Sequence, residues 1–503
     1  MSDIDKEVLR IKNCETVKLN RIPQLAYEDF IELNSSLVSK GERHVSHYFA
    51  FPEAKQLRIF SIIADDAARD IICSSSPVSF DKPVPSITAI HHSFHPFERD
   101  IHEKFGIQYT DHPWLKPLRF PAAGKDKKSM AGYPFYEFKS EDLHEVGVGP
   151  IHAGVIEPGH FRFICNGEKI LHLEIQLGYQ HRGVEELFVD KKKLLERIIL
   201  SESIAGDTTN GHATAFSLLY ESMCGFIPGD HLAFVRTLAL ELERLAIHTG
   251  DLAALSGDVA YQLGNAVFGR LRTPIINYTQ SWGGNRLGRG LTRPGRTNFP
   301  YTIALADSLM KIFNEYEPHY TEMADALFAR PSVQARFEKT GILLEEDILT
   351  MGAVGTPARS TGVKRDIRAT HPHGYYSTYE HDPVILDQGD VYARAFIRDR
   401  EIRQSMNLIR NMVTAIPEVD KNADLSKNKC ASESLTVTLV EGWRGEICHT
   451  AITDRQGNIV LYKIKDPSMH NWFALALAVR GEEISDFPLC NKSFNLSYCG
   501  HDL

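Results

Sequence analysis

The chain has eight cysteines, but no two of them stand three apart, so the paired CxxC donors that seat zinc or iron–sulfur clusters are missing. They read as reduced, mostly buried thiols. No apolar run approaches the ~20 residues needed to span a bilayer. The opening MSDIDKEVLRIKN alternates charges and has no apolar core for export, so a cytoplasmic protein is expected. Basic charge is not in excess: 56 Lys and Arg face 65 Asp and Glu, and a net charge of −9 argues against a general nucleic-acid binder. Gly283, Gly284, Gly288, Gly290 and Gly295 lack a strand–GxGxxG–helix context, which argues against a dinucleotide site. No internal repeat or low-complexity tract is present.

What remains is an ordinary globular composition, 503 residues long, enough for two to four domains with large cores. Residues 1–121 are expected to form a small α/β domain, with a helical pattern at 27–40 and strands near 45–51 and 56–63. Residues 122–140, rich in small and charged side chains, are the expected linker. Residues 141–503 are expected to be mainly helical with flanking short β-sheets, which makes the whole chain α+β. Helical patterns run over 208–224, 230–255 and 301–330, with Asp230 as an N-cap and Gly250 and Gly257 as interruptions. Residues 435–440 and 457–464 alternate like a short hairpin.

Several stretches carry a family resemblance. Phe97-Glu98-Arg99-Asp100-Ile101-His102-Glu103-Lys104-Phe105-Gly106, followed by a His112-Pro113 turn, resembles the thirty-kilodalton accessory subunit of respiratory complex I. Ala205 to His212, Gly178-Tyr179-Gln180-His181-Arg182-Gly183-Val184-Glu185, Phe487 to Asn495 and Asn495 to His501 resemble the large subunit of membrane-bound (group 4) [NiFe] hydrogenases and of the complex I catalytic core. The hydrogenases hold nickel and iron with two CxxC pairs at these places. In this chain the aligned positions are Ala205, Thr208, Ser497 and Gly500, and no thiolate stands in register. Cys499 lies one residue out of phase. The resemblance therefore implies a hydrogenase-related branch without nickel ligands, in which this chain binds no metal of its own.

The same resemblance proposes site residues. His152 or His160 stands where complex I offers a quinone-binding histidine, or else satisfies a tight loop. His181, Arg182 and Glu185 form either a proton path or a polar brace, with Glu185 in a helix first turn. His212 follows the vacated thiolate pair, and Gly206 stands where complex I has its quinone tyrosine. Asp207 and Thr208 either line the pocket or cap the next helix. Glu241, Arg244 and His248 share a helix face in an apolar context, which favours a buried brace or proton relay. Asp366 and Arg368 either contribute charge to the pocket or lie in a solvated loop.

The function implied is that of a peripheral-arm subunit of a complex I-like assembly, lining a redox cavity beside a partner's iron–sulfur cluster. Expected partners are a small iron–sulfur subunit, a ferredoxin-like subunit and antiporter-like membrane subunits, through which the chain attaches to the cytoplasmic membrane. Quinone is the small molecule the resemblance admits. The alternatives are a non-catalytic scaffold, a quinone-reducing subunit and a true hydrogenase subunit.

Overall fold

The computed structural model describes residues 7–54, 56–119, 132–152 and 156–503. The first part of the 122–140 linker falls outside them. Near the N-terminus, β1 (Leu9–Ile11) and β2 (Thr16–Lys18) precede β3 (Arg43–Pro52), β4 (Leu57–Asp65) and β5 (Asp70–Val78). An antiparallel sheet forms in the order β1-β5-β4-β3. One face packs Val45, Ile59 and Ile63 against Phe30 and Leu37 of the helix Tyr27–Val38. The other face turns Phe49, Phe60 and Ile62 toward the C-terminal sheet. The charged helix His95–Phe105 starts with Pro96 in its first turn and ends at Gly106. At φ 72° Gly106 takes the left-handed conformation that closes a helix and that glycine adopts without strain.

The strands β6 (Val84–Pro85) and β7 (Tyr109–Thr110) form a short parallel pair. Next comes the antiparallel sheet of β8 (His144–Val148), β9 (His160–Asn166) and β10 (Lys169–Gln176). The helical body follows. Its long members are Thr209–Met223, Asp230–Asp258, Gln262–Gly283, Ile303–Phe328 and Val391–Val413. The largest apolar core, including Leu238, Leu245, Leu271, Phe313 and Ile402, lies among them. Among the described residues no helix is long and apolar enough to cross a membrane.

The C-terminal sheet is built from β11 (Ser434–Gly442), β12 (Gly445–Thr453) and β13 (Ile459–Lys465), with β2 on its outer edge. Register pairs Lys18 with Ser434 and Val17 with Leu435, so the N-terminal segment completes a sheet of the large-subunit part. Every residue of β11 and β12 is buried. The N-terminal sheet covers one face, and the helix Thr209–Met223 lies against the other.

The α+β architecture is as expected, with three local corrections. Residues 435–440 and 457–464 are not a two-stranded hairpin, because β12 lies between them. Burial on both faces removes the alternation that would have marked it. Asp230 is the first helical residue rather than the cap. Gly229 holds the cap position, and the Asp420 carboxylate accepts from the Leu232 N–H at 2.9 Å. Gly250 and Gly257 do not interrupt the helix, which runs on to Asp258. Gly250 instead lets the Arg272 side chain approach closely.

Candidate functional site

Two loops meet where the metal-ligating segments of the resembling hydrogenases would lie. One leads into the helix Thr209–Met223; the other leads into the terminal helix Tyr498–Asp502. Arg182 ties them together, donating to the carbonyls of Ser203 (2.7 Å), Ile204 (3.0 Å) and Cys499 (2.9 Å). Of the four aligned positions, Ala205 and Gly500 offer no side-chain donor. Thr208 and Ser497 offer hydroxyls, and the Ser497 hydroxyl accepts from the Gly500 N–H at 2.9 Å as a helix cap.

A guanidinium lies between the loops. The β11–β12 turn, Gly442-Trp443-Arg444-Gly445, carries Arg444 into the gap. Its N–H groups clasp both Asp207 oxygens at 2.6 Å and reach the Thr208 hydroxyl at 3.0 Å and the Asn495 carbonyl at 2.6 Å. Arg444 also stacks 4.0 Å over Trp443, whose indole donates to the Asp207 carbonyl at 2.8 Å. The turn reaches in because Gly445, at φ 136°, lies against the Gly355 backbone, with no room for a side chain. A cationic fork surrounded by oxygens matches neither the charge nor the softness of a nickel–iron thiolate seat.

Beneath the gap His212 is fully buried. Its Nε2 lies 3.1 Å from Asp466 Oδ2, and its Nδ1 lies 3.0 Å from His449 Nε2. His449 Nδ1 in turn lies 2.7 Å from the Tyr462 hydroxyl. With neutral rings, one assignment satisfies every atom: Tyr462 donates to His449, His449 to His212, and His212 to Asp466. Burial, aided by nearby His212, pushes His449 well below its ordinary value. Burial works to raise the Asp466 carboxyl, but His212, the Arg444 charge and the Ser468 hydrogen bond together hold the group below the usual range. Asp466 also abuts the position a Gly500 side chain would take.

Glu243, facing the first turn of the helix Thr209–Met223, accepts from the Asn210 N–H at 2.7 Å and the Gly211 N–H at 3.2 Å. Burial pushes its carboxyl up to about 8 despite these donors. The nearby Asp207 charge raises it further.

An open cleft of about 380 Å³ lies at the mouth, walled by Glu157, Tyr179, Gln180, His181, Arg182, Ser203, Gly206 and Cys499. His181 Nδ1 donates to the Asp502 carbonyl at 2.8 Å. Burial pushes the Cys499 thiol up to about 11, so it stays protonated.

The other sequence-derived residues are distributed differently. His152 Nε2 donates to the Gly159 carbonyl at 2.8 Å and His160 Nδ1 to the Gly149 carbonyl at 3.2 Å. Neither histidine lines the cleft, which Glu157 of the same loop reaches. Glu185 does not pack with His181 and Arg182. It faces Lys104 at 2.5 Å and Lys463 at 2.6 Å, beside Asp100, in a separate pocket of about 230 Å³. Burial works to raise Glu185, but Lys104 and Lys463 hold it down to about 2.

Asp366 and Arg368 do not lie in a solvated loop. Arg368 forks onto Asp366 at 2.7 and 3.0 Å and reaches Glu401 at 3.0 Å, all fully buried. Arg359 spans Glu401 (2.7 Å) and Glu441 (3.0 Å), and His248 Nε2 lies 2.8 Å from Glu401. Glu241 pairs with Arg244 at 3.5 Å and is held down to about 2, where the charges of Arg244 and Arg368 outweigh burial. Glu441 is pushed up to about 7 by burial and by Asp366. Arg244 donates to the Glu441 and Gly442 carbonyls, so this network supports the turn that bears Arg444.

Sequence reasoning did not single out Arg444, Trp443, Glu243, His449, Tyr462 or Asp466 as candidate site residues. The glycine-flanked Trp-Arg pair at 442–445 was the available signal for the first two. For the partners of His212 there was none, because they lie on separate elements from it.

Comparison with known proteins assigns the two parts of the chain to two related families. Residues 26–135 match the family of the respiratory-chain NADH dehydrogenase 30 Kd subunit, and residues 264–436 match that of the 49 Kd subunit. The carbon monoxide-induced hydrogenase of Rhodospirillum rubrum is 27% identical over 353 residues, 70% of this chain and 97% of that protein. Hydrogenase-4 component G of Escherichia coli K12 is 25% identical over 505 residues, 96% of this chain and 86% of its own. The C/D polypeptide of the NADH-quinone oxidoreductase of Phocaeicola vulgatus is 23% identical over 428 residues, 77% of this chain and 81% of its own. These matches define a protein of the class shared by complex I subunits and membrane-bound hydrogenase subunits. The chain belongs to the branch of that family in which a 30 Kd-type domain is fused to a 49 Kd-type domain.

Proposed function

We propose that the chain is a peripheral-arm subunit of a membrane-associated, complex I-like oxidoreductase assembly and carries no nickel–iron centre. One observation bears most of this reading: Arg444, clasped by Asp207, fills the space between the two loops that would each have to supply thiolates. Electrons would arrive from an iron–sulfur cluster in a small partner subunit, served by a ferredoxin-like subunit. The 380 Å³ cleft beside Gly206 and Cys499 would receive the acceptor, with quinone the leading class. Titratable groups near it, the half-buried Glu243 and the buried Tyr462–His449–His212–Asp466 chain, suit a protein that must move protons as electrons pass. Coupling to ion movement would then run through antiporter-like membrane subunits.

A scaffold without turnover is the second reading, favoured by the dense ionic network that braces the same turn. To separate the two, the native complex would be purified through this chain and its nickel, iron and acceptor reduction measured. The redox reading expects iron from partners, no stoichiometric nickel, and turnover lost in Glu243→Gln or His212→Gln with assembly intact. A scaffold would keep turnover in both variants. One nickel per chain would return the protein to the hydrogen-activating class.

A further inference from the structure

Far from the cleft, the helix Thr209–Met223 ends at a pair of thiols. Cys224 is its C-cap, and the Cys224 and Cys430 sulfurs lie 3.8 Å apart. The Ala431 N–H donates to the Met223 carbonyl at 2.7 Å, which holds the two backbones together beside the sulfurs. Both cysteines are half-buried, whereas Cys73, Cys165, Cys448 and Cys490 are buried. Cys14 and Cys499 share that partial exposure, but among the described residues neither is paired with a second cysteine sulfur. From this geometry we propose that Cys224 and Cys430 form a peroxide-sensitive dithiol, a modification site that closes reversibly to a disulfide.

Cys430 is the attacking sulfur. The contact with the Cys224 sulfur holds its thiol below the ordinary value against the effect of burial, and the Arg197 charge adds to that. Thiolate character and partial exposure are what peroxide reactivity requires. The Cys430 thiolate attacks hydrogen peroxide: an S–O bond forms, the O–O bond breaks, and hydroxide leaves and takes a proton to become water. Cys224 then attacks the resulting sulfenic sulfur. An S–S bond forms, the S–O bond breaks, and the second oxygen leaves as water with the Cys224 proton. Two thiols are oxidised and one peroxide is reduced to two waters. The sulfurs must close by about 1.8 Å to reach the ~2.05 Å of a disulfide. Closure would fasten the far end of the helix that carries His212 to the segment leading into β11.

The purified full chain, treated with equimolar hydrogen peroxide, would be unfolded in iodoacetamide, digested and examined by mass spectrometry. A Cys224–Cys430 peptide pair should appear before any other cysteine is modified and should vanish with dithiothreitol. Recovery of both cysteines as alkylated thiols would overturn the proposal. So would over-oxidation of Cys430 while Cys224 stays a free thiol. In Cys224→Ser, dimedone should capture a sulfenic acid at Cys430; in Cys430→Ser, Cys224 should stay unmodified at the same dose. The reverse pattern would overturn the assignment of Cys430 as the nucleophile.

Discussion

At Arg444 one residue does the work of several. Its guanidinium makes four hydrogen bonds, to a carboxylate, a hydroxyl and a carbonyl from segments far apart in sequence. Arg444→Met should lower stability by about 1–3 kcal/mol, the range for charge-assisted hydrogen bonds of a partly exposed carboxylate. A urea-denaturation cycle with Asp207→Asn should show that the two changes are not additive. Glu243 permits a pH test. Its carboxyl is raised from 4.5 to about 8 by burial, so the folded chain binds a proton there that the unfolded chain releases. The stability it confers is full below about 4.5 and is lost as pH rises through about 8. Between pH 5 and 9 the urea midpoint of the parent should therefore fall more than that of Glu243→Gln. These roles were only half legible in the sequence. Asp207, Thr208 and His212 were found because they flank a recognisable gap. Arg444 and Glu243 lie on a turn and a helix whose spacing gives no hint that they converge there.

Among the elements, the helix Asp230–Asp258 carries the deepest polar network. Glu241, Arg244 and His248 share one of its faces and meet Glu401 and Ser405 of the helix Val391–Val413. Glu401→Gln would leave Arg359 and Arg368 without their shared counter-charge. A loss of about 3–5 kcal/mol is expected, measured as a drop in the urea midpoint. Periodicity revealed this helix because its apolar stripe is long. It did not reveal Gln262–Gly283, where Gly264, Gly269 and Pro274 interrupt the pattern. Contacts with the preceding and following helices outweigh those weak local preferences. Asp366 and Arg368 illustrate the opposite difficulty. A basic-looking loop in the sequence is a buried ion pair in the fold, and only tertiary packing decides which.

For the molecule as a whole, the N-terminal and large-subunit parts are joined by charge as well as by apolar packing. Lys463 of β13 contacts Asp100 and Glu185 at 2.6 Å each, and Lys104 reaches Glu185 from the helix His95–Phe105. Glu185 is held down to about 2, so its share of this clamp is complete above about 4.5 and disappears as pH falls through about 2. Lys463→Met should speed amide exchange in His95–Phe105 at neutral pH. It should also weaken the pH dependence of that exchange at the acid end. A fragment of residues 141–503 lacks β2 and the sheet covering β11. It should be less soluble than the full chain and unfold at lower urea, because an apolar strand edge and face are laid open.

The pairing of Lys18 with Ser434 also sets an order of events during translation. Thr16–Lys18 leaves the ribosome about 400 residues ahead of its partner, a delay on the order of 20 to 80 seconds at ordinary elongation rates. The nascent chain must carry that strand unclaimed until residues 434–436 have been made, so this sheet can be completed only after them.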